Sequence, residues 1–183
     1  MEINRVAVIG LGRMGSAIAS RILHSGFEVI AYDRCAAKVA SAVSAGARPA
    51  AIPADAAQEA DVVIVTMPDE LACVDVLLDH GGVGETLRSG GYIIDASSTA
   101  TEFGVATAER LARFGIIHVQ VCLVGEPVHA RLGELKVLAG CDDGDLAAVR
   151  PVLDAIAGHV VYVGRDGFLA DESMAGASVL AMT

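Results

Sequence analysis

Val6-Ala7-Val8-Ile9-Gly10-Leu11-Gly12-Arg13-Met14-Gly15 decides the reading of this chain, with Val29-Ile30-Ala31-Tyr32-Asp33-Arg34 behind it. An unbroken apolar run of this length reads as a strand covered on both faces. The glycines then turn the chain into a helix, on which Ala17, Ile18, Ile22 and Leu23 recur at helical spacing and which Gly26 stops. Each glycine has its own task. The first permits the sharp turn, the second lets main chain approach a pyrophosphate, and the third lets helix and strand pack closely. The helix start adds unpaired N–H groups and a positive dipole end, both suited to phosphate. Asp33 closes the second strand about 20 residues on, where a carboxylate meets the hydroxyls of an adenosine ribose. A glycine pattern alone is a weak motif. The strand before it, the helix after it and the acid beyond make it a dinucleotide fingerprint.

Working outward, 183 residues suffice for one sizeable domain, and a 54% apolar content gives it a core. The net charge of −10, from 13 basic and 23 acidic residues, argues against a nucleic-acid partner, which needs clustered cations. The absence of Trp and the scarcity of Phe (4) and Tyr (3) argue against base-stacking platforms. No apolar stretch is long enough to span a bilayer, so no membrane partner is expected. Met1 to Arg5 runs straight into a strand and fits no secretory signal. Cys35, Cys73, Cys122 and Cys141 stand apart without C-x-x-C spacing and read as reduced thiols, most of them core or near-core residues, of a cytoplasmic protein. No His or Cys cluster has metal-ligand spacing, and no metal is expected.

Strand and helix patterns alternate along the whole chain. Residues 36–45 read as a helix that Gly46 ends, and Asp55 reads as the cap of a short helix through Ala60. Val62 to Val65 is a central strand, and 70–78 is helical. Tyr92 to Ile94 is a strand ending on Asp95, 102–114 a helix, and Ile116 to Val121 a strand. Lys136 to Leu138 reads as an edge strand, Asp142 or Asp143 starts a helix through Ala157, and His159 to Val163 is a last strand. Such alternation predicts an α/β fold, a doubly wound, mostly parallel Rossmann sheet.

Ligands of such sheets lie beyond the carboxyl ends of the strands. The expected cofactor-binding residues are therefore Gly10, Leu11, Gly12, Arg13, Met14 and Gly15 at the first end and Asp33, Arg34 and Lys38 at the second. Met67 and Pro68 follow at the third end and Ser97 and Ser98 at the fourth. Met67-Pro68 reads either as a wall under a ribose or as an ordinary loop proline. The hydroxyls of Ser97, Ser98 and Thr99 serve a nicotinamide, cap the next helix, or do both. Arg34 and Lys38 suit adenine or a 2′-phosphate, or are a solvated helix start; Asp33 tips the expectation from NADP toward NAD. His118, read as an outward strand residue, and His129, read as a loop residue, are proton donors by type only, and the catalytic residues stay unassigned.

These residues resemble the β-hydroxyacid dehydrogenase superfamily, which includes 3-hydroxyisobutyrate dehydrogenase and the cofactor domain of 6-phosphogluconate dehydrogenase. The resemblance runs through Gly10 to Gly15, Tyr32-Asp33-Arg34, Gly46-Ala47, Met67-Pro68-Asp69 and Asp95 to Thr99. It continues through Gly133-x-Leu135, Gly140, Arg150 to Leu153 and Val163-Gly164-x-x-Gly167. It implies a dinucleotide-binding domain over residues 1–164 and, in 165–183, a tail that begins an interdomain helix; the family's C-terminal helical domain is expected to be absent from this chain, which stops at Thr183. The apolar residues of that tail, such as Phe168, Leu169 and Leu180, imply either pairing with a second copy of the chain or a disordered tail.

The departures from the family pattern are also specific. The substrate loop D-A-P-V-S-G-G is Gln120-Val121-Cys122-Leu123-Val124-Gly125-Glu126 here, so its serine falls on Val124, or on Leu123 with one insertion. The catalytic lysine of the family falls near Ser173, and no lysine follows Lys136. Imine reductases, a related branch, also lack that lysine and have a less polar loop; Gly164-Arg165-Asp166 and Leu169-Ala170 are similar to them. Two functions are thereby expected. One is the NAD(P)-binding part of an oxidoreductase for a small hydroxyacid, semialdehyde or imine; the other is a non-catalytic dinucleotide-binding module or sensor.

Overall fold

The computed structural model describes residues 3–164. The apolar run after Asn4 is strand β1 (Arg5–Ile9), the glycine corner leads into helix α1 (Arg13–His24), and β2 (Glu28–Tyr32) returns parallel to β1. The chain continues through α2 (Ala36–Ser44), the two-residue β3 (Arg48–Pro49), α3 (Pro53–Gln58), β4 (Val62–Val65) and α4 (Glu70–Leu77). A 3-10 turn (Val83–Glu85) precedes β5 (Tyr92–Asp95), α5 (Thr101–Ala112) and β6 (Ile117–Val124). Last come α6 (Pro127–Leu132), β7 (Leu135–Gly140), α7 (Asp143–Ile156) and β8 (Ala157–Tyr162). The strands form one sheet in the order β3-β2-β1-β4-β5-β6-β7-β8, parallel except for the antiparallel β6–β7 pair. This is the doubly wound, mostly parallel sheet that the alternating pattern predicts.

The continuous apolar strands follow from burial on both faces, because successive side chains point to opposite sides. Val6, Val8, Val62 and Ile64 pack with Ile18 and Ile22 of α1 and Val149 and Leu153 of α7. Ala7, Ile9, Val63 and Val65 pack on the other side with Ala56 and Ala57 of α3 and Cys73 and Leu77 of α4. Each fully buried Ile or Val is worth roughly 1.5–3 kcal/mol of transfer free energy. Asp61 fixes the entry to β1: one carboxylate oxygen accepts the N–H of Asn4 at 3.0 Å and of Arg5 at 2.9 Å, and the other pairs with Arg88 at 3.3 Å. Among the described residues no helix is long and apolar enough to cross a membrane.

Several expectations need correction. Asp55 does not cap α3. Ile52 holds that position and Pro53 opens the helix, since its fixed φ and missing N–H suit the first turn; Asp55 lies within that turn, where its charge favours the dipole. The strand around Lys136 to Leu138 is not an edge. β8 pairs along its outer side and becomes the edge itself. The Ser97 to Thr99 hydroxyls do not cap α5, whose N-cap is Ala100 with no side-chain bond. His129 is helical, in α6, rather than in a loop. The tail at 165–183, with its expected interdomain helix and pairing of copies, lies outside the described residues.

Candidate functional site

The glycine corner is built so that two of its glycines are required by the protein and one is not. Gly10 has φ +91°, a left-handed conformation that disfavours a side chain, and its N–H donates to the Tyr32 carbonyl at 2.9 Å. The Thr66 hydroxyl donates to the Gly10 carbonyl at 2.8 Å, which ties the corner to the end of β4. A Cβ on Gly15 would strike that same Gly10 carbonyl oxygen and the Thr66 hydroxyl. Gly12 differs. Its φ of −67° is ordinary, and a Cβ there would meet no atom of the described residues within 4 Å. Gly12 is also the N-cap of α1, and among the described residues no side chain bonds the first N–H groups of that helix, which have no intrahelical partner. The result is a main-chain cradle open to the outside at a positive helix end.

A cleft of about 750 Å³ opens beside this cradle. Leu11, Gly12 and Arg13 line one side, and Pro127, Val128 and Arg131 of α6 line the other. Glu126 reaches Arg13 across it at 3.9 Å, with both side chains largely in water. Such an exposed pair is worth well under about 1 kcal/mol and does not lock the cleft. The sequence reading missed α6 as a wall, although Pro127 at the first helical position and Gly133 (φ +75°) at the stop are its start and end signals.

Asp33 stands at the end of β2, beside the corner. Its Oδ2 accepts the Leu11 N–H at 2.7 Å and meets Lys38 Nζ at 3.2 Å, while Oδ1 accepts the Cys35 N–H at 2.8 Å. Burial pushes its pKa up, but these donors outweigh burial and hold it below the usual carboxylate value. Asp33 therefore carries a full charge at neutral pH and braces the turn. Lys38 lies in the first turn of α2, close enough to share that charge, and Arg34 is exposed next to it.

The loops after β4 and β5 are joined at the same sheet edge. Met67 donates its N–H to Ser97 Oγ at 2.9 Å and accepts the Ser98 N–H on its carbonyl at 3.1 Å. The Met67 side chain is buried under Gly10, where an added Cβ would meet its methyl group, and Pro68 is exposed. Behind this junction Asp95 Oδ2 lies 3.1 Å from His118 Nε2, with both side chains only 2% exposed. His118 is thus not outward-facing, and no substrate reaches it. Burial pushes the Asp95 pKa up, yet the bonds from His118 and Ser97 hold it below the usual value. Cys73, close by, is pushed up to about 12 by burial and stays a thiol.

Three carboxylates, Asp33, Asp61 and Asp95, thus have folded-state pKa values below the unfolded one. Stability from such groups is present above the unfolded value, near 4, and is lost as pH falls through the folded values. The urea midpoint is expected to be nearly constant between about pH 5 and 7 and to drop clearly at about pH 3.5. An equal midpoint at pH 3.5 would contradict the assignment.

Chemically reactive groups at the strand ends are few. Val124, at the family serine position, is exposed at the end of β6 opposite Lys136, and Leu123 beside it is equally apolar. His129 Nδ1 accepts the Glu126 N–H at 2.9 Å and so serves the start of α6. The cysteines are free thiols, and among the described residues no group of His, Cys, Asp and Glu is arranged to hold a metal ion.

A glycine corner with an open main-chain cradle, at the carboxyl edge of a 3-2-1-4-5-6 sheet, defines a dinucleotide-binding domain of the Rossmann class. Residues 5–164 match the family model described as the NAD binding domain of 6-phosphogluconate dehydrogenase, and the chain belongs to that family. It is 31% identical over 162 residues to an uncharacterized oxidoreductase, YfjR, of Bacillus subtilis, a match covering 88% of this chain and 57% of that protein. It is 28% identical over 162 residues to the mitochondrial 3-hydroxyisobutyrate dehydrogenase of Mus musculus, covering 88% of this chain and 48% of that protein. Among solved structures it superposes on an imine reductase of Streptomyces aurantiacus with a TM-score of 0.86 and 29% identity, over 97% of this chain and 61% of that one. The chain spans about half the length of the curated relatives it matches. The superfamily resemblance read from the sequence therefore holds.

Proposed function

We propose that this chain binds a nicotinamide dinucleotide as the cofactor-holding part of an oxidoreductase acting on a small hydroxyacid, semialdehyde or imine. The observation that carries the reading is Gly12: space for a side chain exists there, no described residue fills it, and N–H groups without a side-chain cap among the described residues border it. A pyrophosphate fits this donor set. Asp33 and Arg34 would take the adenosine end, Leu11, Arg13 and Met14 the phosphates, and Met67, Pro68, Ser97 and Ser98 the far end. Bound, the nicotinamide ring supplies hydride chemistry; the chain's own task is to hold and orient it and to keep water away.

Asp33 supports NAD over NADP. Its carboxylate is ionised and would repel a 2′-phosphate, and Lys38 is already engaged by it. NADH is expected to bind at least tenfold more tightly than NADPH, about 1.4 kcal/mol, in parallel calorimetric titrations. Tighter NADPH binding would overturn the assignment of Asp33.

The substrate group and its proton donor are assigned outside residues 3–164, because Val124, Leu123 and the buried His118 offer a substrate no hydrogen bond. The same three residues support the second reading, a non-catalytic module or sensor. An activity screen over hydroxyacids, semialdehydes and cyclic imines separates the two. Turnover supports the oxidoreductase, and tight NADH binding without turnover supports the module.

A further inference from the structure

Asp95 belongs to the family stretch Asp95 to Thr99, but its buried contact with His118 is used neither by that pattern nor by the cofactor contacts above. It is also costly to build, because two ionisable side chains leave water together. Asp95 ends β5, and His118 lies on the neighbouring β6. With Asp95 ionised, its oxygens only accept, so His118 Nε2 carries the hydrogen it shares with Oδ2. Oδ1 accepts the Ser97 N–H at 3.0 Å, and the Ser97 hydroxyl also bonds this carboxylate.

The Ser97 hydroxyl is thereby fixed. Its oxygen accepts the Met67 N–H at 2.9 Å, and the hydroxyl stands between the Asp95 carboxylate and the Cys73 thiol, both within its hydrogen-bonding reach. The line of bonds runs from β6 through the end of β5 to the loop after β4. Those two loops lie past β1 on the side away from β2 in the strand order. A dinucleotide with its adenosine at β2 and its pyrophosphate at β1 extends its nicotinamide half over them.

We infer that His118, through Asp95, is a positioning residue for the nicotinamide half of the site, holding the Ser97 hydroxyl and the Met67 main chain in one arrangement. This rests on the dinucleotide reading above. The pair stands behind Ser97, with each side chain only 2% exposed. Removing the imidazole frees Asp95 to recruit the Ser97 hydroxyl or a water differently, and the loop loses its single geometry.

The test compares ADP-ribose, which lacks the nicotinamide, with NADH by calorimetry on the full chain. The wild type is expected to bind both. His118→Phe, similar in size but without a donor, is expected to bind NADH at least tenfold more weakly and ADP-ribose within twofold of the wild type. His118→Gln returns an N–H near the same place and is expected to recover most of the NADH affinity. Should His118→Phe fail to fold, Asp95→Asn, which keeps the shape but alters the hold on His118 and Ser97, is expected to give the same split. Equal losses for both ligands, no loss for either, or no recovery with Gln would overturn the inference while leaving the dinucleotide site standing. A wild-type chain that binds neither ligand would overturn the site reading itself.

Discussion

Replacing Gly12 with valine is expected to abolish measurable NADH binding while leaving the fold intact. The substituted Cβ meets no atom of the described residues within 4 Å, and the backbone conformation at Gly12 is one any residue adopts. Nothing among the described residues resists the change. The space belongs to the ligand, where a branched side chain keeps a pyrophosphate from the N–H groups at the start of α1. Hydrogen bonds to a charged group contribute roughly 1.5–3 kcal/mol each, so loss of two of them weakens binding at least about a hundredfold. Calorimetry for affinity and thermal unfolding for stability check both halves. An undiminished affinity would remove the reason for placing phosphates there, and a large fall in melting temperature would show that Gly12 has a packing role instead.

Gly15→Ala is expected to do the reverse. One methyl group there strikes the Gly10 carbonyl oxygen and the Thr66 hydroxyl, which are bonded to each other. Neither is the loose end of a flexible side chain, so α1 must move off β1. Overpacking of a tight interior contact costs about 3 kcal/mol at its upper range. For a domain of this size that is a fall in melting temperature of roughly 6–12 °C. The measurement is a thermal or urea melt of the unliganded variant beside the wild type. An unchanged melt would mean that the close approach of helix and strand is not a constraint. The two variants separate a glycine kept for the ligand from a glycine kept for the fold, although both belong to one six-residue motif.

The order of strands was legible because each apolar run is short, unbroken and followed by turn residues. Val6 to Ile9 and Val62 to Val65 are buried along their whole length, as their composition implies. Polar residues within strands were harder to place. His118 looks outward-facing if one side of the strand is taken to be wet. In a sheet with helices on both faces, the side opposite Val119 is covered too, and α5 packs against β6 there. A histidine in that position needs a buried partner, and Asp95 is brought to it only by the pairing of β5 with β6. Nothing in the sequence spacing announces that contact. Lys136 misled in a similar way. Its charge marks solvent at one residue, but Val137 to Ala139 behind it are interior because β8 adds to the sheet.

At the candidate site, the sharp glycine corner and the place of Asp33 just past β2 were legible in the sequence, since they depend on main-chain geometry that short motifs encode. The bracing of Leu11 by Asp33, the burial of Met67 under Gly10 and the wall made by α6 depend on contacts between distant segments. They became visible only once the chain was folded.

The most direct measurement is an amide chemical-shift titration of the isotope-labelled chain with NADH. The largest perturbations are expected at Gly12, Arg13, Met14 and Gly15, saturating at a single ligand per chain. If millimolar NADH leaves those four amides unmoved, the phosphates do not rest on this corner and the function proposed here is wrong.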